Sequence, residues 1–185
     1  MGKPFRLAAF NFIFGCALLG MTACRHQHPV PAVHDSVLSP VDRNFIAQAE
    51  EDNVRDRAIG QLVAARSGNE RVKNYAEALL KEHSNALEKL DAIIQKYSVK
   101  PPAPPEEQQK ATAQLARLSR PSLDRQFVKL MVEDHAKEIA VFQQEANSSE
   151  ARDVRHYAID QLPMLDNLLK QAQELQTKMG LVRKR

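Results

Sequence analysis

The sequence predicts an all-α protein in which four long helices form a bundle with one long crossover. Three observations carry this. First, residues 41–100 and 122–162 contain no proline while Pro-Pro-Ala-Pro-Pro occupies 101–105, so two helical halves flank a rigid break. Second, the 185 residues are 43% hydrophobic and 26% charged but only 5% aromatic, with no Trp. A core built from Leu, Ile, Val and Ala suits packed helices better than sheets. Third, the apolar residues of both halves recur at 3–4 spacing, the mark of one buried helix face.

The segment ahead of the first helix reads as an export signal. Lys3 and Arg6 precede a 17-residue apolar run at 7–23, broken only by Asn11 and Thr22. This is signal-peptide architecture, at the lower length limit for a membrane span. Its end, Met21-Thr22-Ala23-Cys24, resembles the lipobox of bacterial lipoproteins, which implies that Cys24 is acylated and becomes the mature N-terminus. The other cysteine, Cys16, falls inside the removed signal, leaving neither a disulfide framework nor thiol chemistry in the body. Arg25 follows Cys24. With no Asp there, the resemblance implies anchoring at the outer membrane, facing the periplasm; plain secretion to the periplasm is the alternative. Residues 25–40 carry His26, His28 and His34 among three prolines and read as a solvated tether. The predicted organisation is signal 1–23, lipidated tether 24–40, bundle 41–180 and basic tail 181–185.

Pro40 opens the first helix, whose stripe is Phe45, Ala49, Asp52, Asp56, Ile59 and Val63, and Ser67-Gly68 ends it. Asn69 caps the second, the most regular amphipathic pattern in the chain, running through Val72, Leu79, His83, Leu90 and Ile93 to Tyr97. So short a link makes these two antiparallel neighbours. Ser122 is expected to cap the third long helix, carrying Phe127, Met131, His135, Ile139 and Phe142. Ser149 is expected to start the fourth, with Val154, Ala158, Leu165, Leu168 and Leu175 on its stripe, Pro163 inside it and Gly180 after it. Helices of roughly 27–30 residues span about 40–45 Å. Residues 98–120, with a short helix near 106–118, can cover that length, which favours a ferritin-like order over simple up-and-down winding. Leu79, Leu90, Phe127, Phe142 and Leu165 are the expected core.

Removing residues 1–23 takes away two basic and no acidic side chains and turns the net charge of +3 into +1. Nothing then steers charged partners over distance, and no basic face with interleaved aromatics exists to track phosphates, so nucleic acid is excluded as a partner. No nucleophile motif or Gly-rich phosphate loop stands out, which argues against an enzyme.

The informative polar residues lie on apolar stripes. Asp52, Asp56, His83 and His135 point inward from three helices, whereas His156 falls on the outer face. Inward carboxylates and imidazoles in a bundle hold transition metals in some proteins, but Glu-x-x-His occurs nowhere in this chain. The ordinary alternative is a buried hydrogen-bond network in which each imidazole finds a carboxylate or carbonyl. The expectation is that network, with no cofactor; a divalent transition metal is the second reading.

Taken in order, the blocks FIAQAEEDNVRDRAIGQLVAARSGNERVKNYA, LLKEHSNALEKL, LSRPSLDRQFVKLMVEDHAKEIAVFQQEA and HYAIDQLPMLDNLLKQAQEL resemble the bacterial family catalogued as domain of unknown function 4142. The resemblance covers about residues 42–178 and implies a ferritin-like four-helix fold in an exported protein, with no settled activity. It marks Asp56 where the family usually has Glu, His83 and His135 where it has His, and Leu162-Pro163 as its Leu-Pro pair. Six residues after that Leu the family commonly shows another His, and here Leu168 stands instead. With an apolar residue in the fourth place, tight metal binding is not expected, and Leu168→His is expected to create it. The functional expectation is therefore a lipid-anchored, non-enzymatic envelope protein whose partner is a membrane through its anchor and an unidentified envelope protein or small ligand.

Overall fold

The computed structural model describes residues 37–100 and 106–181 of the chain, with side chains from 110 onward in the second stretch. Cys24, the signal and most of the tether lie outside the described residues. Those described form α1 (Pro40–Arg66), α2 (Glu70–Tyr97), α3 (Glu106–Ala116), α4 (Arg120–Ser148) and α5 (Arg152–Lys178), with no strand among them. No helix among them is long and apolar enough to cross a membrane.

Local chemistry sets the ends. Ser39 caps α1 in a reciprocal box: its side chain accepts from the Asp42 N–H, and Asp42 accepts from the Ser39 N–H at 2.7 Å. Asn69 caps α2 through the Arg71 N–H, as its position suggests. The start of α4 differs from expectation: Ser119, not Ser122, is the N-cap residue, and Pro121 sits in the first turn. A proline costs nothing there, because first-turn N–H groups have no intrahelical partner. The start of α5 also differs, at Arg152 rather than Ser149. Ser149 instead closes α4, and its hydroxyl donates to Asp42 Oδ1 at 2.6 Å, tying the α4–α5 turn to the first turn of α1.

α1 pairs with α2 and α4 with α5, while α2 lies on α5 and α1 on α4. Gly60 lets α1 approach α2 closely: a Cβ there would sit 2.8 Å from the Ala76 carbonyl oxygen. Two ring contacts reveal the winding. Tyr75 meets Phe127 and His83 meets His135, each pair 52 residues apart in the chain, so α2 and α4 run parallel. Parallel helices that are consecutive among the long ones need a crossover, and residues 98–119 between them include α3, which touches α1 and α4. This is the ferritin-like order.

Two apolar clusters fill the bundle. One gathers Phe45, Ile46, Leu90, Phe142, Val154 and Leu165, the other Ile59, Val63, Leu79, Phe127, Met131 and Leu168. All five expected core residues are buried. On α1, α2 and α4 the clusters are separated along the chain by buried polar residues: Asn53 and Asp56, His83, and His135 and Glu138. A polar layer thus crosses the middle of an apolar bundle.

Candidate metal centre

The layer begins with α1. Arg55 follows the turn that buries Asn53 and reaches back over the helix: its Nε donates to Asp56 Oδ1 and its Nη1 to Asp52 Oδ1, both at 2.7 Å. Its Nη2 donates to Glu138 Oε1 of α4 at 3.1 Å and lies 3.6 Å from Asp134 Oδ2. One guanidinium thus serves four carboxylates from two helices. Its planar fork suits that role where a point-charge ammonium would not.

The imidazoles are held from behind. Asn53 Nδ2 donates to the Ala49 carbonyl at 2.6 Å and to Tyr157 at 3.3 Å, so its Oδ1 is left to accept, and His83 Nδ1 lies 2.9 Å from it. His135 Nδ1 lies 2.7 Å from the Met131 carbonyl oxygen, an acceptor only. Both rings therefore carry their proton on Nδ1 and turn a bare Nε2 inward. These two Nε2 atoms face each other at 3.4 Å. Burial pushes the His83 pKa down to about 4 and lowers that of His135, against the attraction of Asp56, so both rings are neutral at pH 7.

Beside them Asp56 Oδ2 lies 3.7 Å from His83 Nε2 and is buried without a hydrogen bond. Burial raises the Asp56 pKa, but Arg55 and His83 outweigh it and hold the carboxyl below its usual range. Glu138 is pushed well upward by burial and by the facing Asp56 and Asp52. One ligand atom each from Asp56, His83, His135 and Glu138 lies within 4.8 Å of every other, and all four residues are buried.

Three of the four expected inward residues, Asp56, His83 and His135, thus meet. Asp52 does not: its side chain stays 15% exposed in the Arg55 fork, because α1 is rotated so that Asn53 takes the buried place. Glu138 completes the quartet instead. Its signal was its spacing, since Met131, His135, Glu138, Phe142 and Glu145 recur at 3–4 intervals and all are buried. The pair His135–Glu138 is the i, i+3 arrangement of Glu-x-x-His written in reverse. Leu168 is fully buried in the apolar cluster with Leu79 and Met131, and His156 is exposed. Tyr75, two turns before His83, keeps a buried hydroxyl without a hydrogen-bond partner.

The model of the family described as domain of unknown function (DUF4142) matches residues 27–175. The chain belongs to that family. Its match takes in the polar layer whole and starts inside the expected tether. No curated protein matches the DUF4142 chain. Among solved structures it is similar to a DUF305 fragment from Deinococcus radiodurans, at 15% identity and TM-score 0.67, over 80% of this chain and 100% of that one. It is also similar to a protein provisionally assigned to the spore coat of Bacillus halodurans C-125, at 15% identity and TM-score 0.64, over 82% and 95%. At such identity these likenesses establish the helical-bundle fold alone.

Proposed function

We propose that this DUF4142 chain holds a divalent first-row transition ion between Asp56, His83, His135 and Glu138. The observation that carries the reading is the Nε2–Nε2 distance of 3.4 Å between two imidazoles whose protons are both committed elsewhere. Two lone pairs facing each other repel, and neither ring has a hydrogen to place between them. In a tetrahedral site with metal–nitrogen bonds of about 2.0–2.1 Å, the N···N edge is about 3.4 Å. A carboxylate oxygen without a hydrogen bond stands at the third corner, and Glu138 supplies the fourth group that the sequence lacked at Leu168. Imidazoles fixed through Nδ1 by a carbonyl and an amide oxygen are the usual outer support of metal-ligating His. Mixed nitrogen and oxygen donors suit Zn, Fe, Mn or Cu rather than Ca or Mg. Four carboxylates around one guanidinium also leave negative charge that a cation neutralises.

The same proposal places the bundle at the outer membrane, facing the periplasm, on a lipid carried by Cys24; the apolar run at 7–23 ending in Thr22-Ala23-Cys24 supports it. The intact mass of the membrane-fraction protein tests that part, and a Cys24→Ala chain that stays with membranes and shows no mass change from lost lipid overturns it.

For the site, tag-free protein is titrated with Zn²⁺ and Co²⁺. The expected result is one ion per chain and a raised melting temperature, the stabilisation reaching about 2.7 kcal/mol at a hundredfold excess over Kd. Both responses are expected to vanish in His83→Ala and His135→Ala. Wild-type protein that takes up no ion and melts unchanged overturns the reading and leaves a purely structural polar network.

A further inference from the structure

The four candidate ligands are at most 6% exposed, so an ion from solvent has to pass between helices. The α1–α2 seam is closed by the Gly60–Ala76 approach, and the α1–α4 seam is bridged by Arg55, which holds Asp56 and Glu138 together. The α2–α5 seam differs. It opens into a cleft of about 410 Å³, lined by Glu82, Asn85, Glu88 and Lys89 of α2 and by Asp160, Gln161 and Met164 of α5.

The register of the two helices puts this cleft at the level of the polar layer. Tyr157 donates to the Ala86 carbonyl, and Lys96 pairs with Asp153, so α5 runs antiparallel to α2 and Gln161 comes opposite the turn that carries His83. Glu82 is the chain neighbour of His83. Gln161 is 3% exposed, and its Nε2 is buried without a partner. Of the two polar side chains that α5 buries among the described residues, Tyr157 has its hydroxyl hydrogen-bonded and Gln161 leaves its Nε2 unpaired. An orphaned amide in a core is costly. A water oxygen carried on a hydrated ion accepts from it.

The charge of the cleft has the matching sign, with three carboxylates against one ammonium on its walls. An acidic cleft with low-dielectric walls raises the local concentration and capture rate of cations. We infer that the α2–α5 cleft is the access route by which a hydrated divalent cation reaches the buried centre, drawn in by Glu82, Glu88 and Asp160 and handed inward past Gln161. This rests on the metal reading above, and it adds a path that the ligand set does not specify. Glu82, Glu88 and Asp160 act only on the rate, because the ion leaves them behind.

Stopped-flow Co²⁺ uptake by the full chain, read in the visible absorption of the bound ion, tests the route beside an equilibrium titration. In the wall variant Glu88→Gln/Asp160→Asn, uptake at low salt is expected to slow by about 3–10-fold, with the difference lost near 0.5 M salt, where charges are screened. Lys89→Gln is expected to speed uptake. Gln161→Leu is expected to slow uptake and release together while Kd stays the same, the signature of a passage rather than a ligand. Unchanged uptake rates in these variants at a normal Kd overturn the route and leave the site standing. Faster release with a weaker Kd in Gln161→Leu also overturns it, since that marks a structural support. A wild-type chain that binds no Co²⁺ at equilibrium fails earlier, at the ligand set itself, and the titration shows this separately.

Discussion

His83 and His135 bring their Nε2 atoms to 3.4 Å although each ring holds its proton on the far nitrogen, one toward Asn53 and the other toward the Met131 carbonyl. The relationship depends on Asn53 as much as on the rings. Its amide is oriented by Ala49 and Tyr157, and that orientation leaves only an acceptor for His83. Asn53→Ala is therefore expected to keep the bundle folded and weaken metal affinity about 10–100-fold. A competition titration with a chromophoric chelator measures it, and an unaltered Kd would show that His83 needs no such support.

Arg55 is the cation shared by Asp52, Asp56, Asp134 and Glu138, while Lys137 reaches Asp134 alone, at 3.8 Å. Removing it strands buried carboxylates, so Arg55→Met is expected to lose about 3–5 kcal/mol of stability in urea unfolding without metal. Saturating Zn²⁺ should recover part of the loss, since the ion replaces the missing charge. A loss below about 1 kcal/mol would assign the fork to surface-like pairing.

Leu90 is fully buried in the cluster of Phe45 and Phe142, beyond the polar layer. Leu90→Ala is expected to cost about 2–5 kcal/mol. A cost under about 0.5 kcal/mol is the range of surface changes and would contradict the packing.

Glu145 couples stability to pH near the C-terminal end of α4, two turns beyond the candidate ligand Glu138. It is buried on α4, and burial, then its hydrogen bond and charge repulsion with Asp42 of α1, push its pKa up to about 7. The folded chain therefore binds a proton that the unfolded chain has released, and stability falls as pH rises from about 4.5 to 7. Asp42 shifts the other way, since the hydrogen bonds from Ser149 and Ser39 outweigh its burial, and its contribution is lost only on acidification below its ordinary range. Glu145→Gln is expected to raise the urea midpoint relative to wild type at pH 8 and to leave it nearly level at pH 4. An equal change at both pH values would mean that the carboxyl does not titrate in that window.

Leu168 tests the completeness of the quartet. Because Glu138 stands as the fourth candidate ligand and Leu168 is packed among Leu79 and Met131, Leu168→His is expected to lose stability by about 1–3 kcal/mol through a poorly partnered buried imidazole. It is expected to bring no gain in metal affinity. Tighter binding in that variant, seen by the same competition titration, would place residue 168 at the ion.

The order of helices, the crossover and the main core positions were legible in the sequence. Proline placement and 3–4 spacing act locally, and a helix shows its buried face along its own length. So His83, His135 and Asp56 stood out as polar residues on apolar stripes. The family resemblance reached the same fold. What the sequence left open was decided by the rotation of one helix against its neighbours. A small turn of α1 buries Asn53 and leaves Asp52 in the Arg55 fork. Such a rotation reflects close approaches such as Gly60 on Ala76, which depend on partners distant in the chain. Likewise the spacing of Glu138 marks it only as a residue on the buried face of α4, and its place beside Arg55 and Asp56 comes from the packing of α1 on α4. The proton positions on His83 and His135 follow from acceptors whose nearness, in the case of Asn53, exists only in the assembled bundle. The sequence by itself determined which faces are buried, because burial follows periodicity along one chain segment. Only the tertiary structure decided which polar groups on those faces meet, because that depends on helix rotation, register and the choice of hydrogen-bond partners across the bundle.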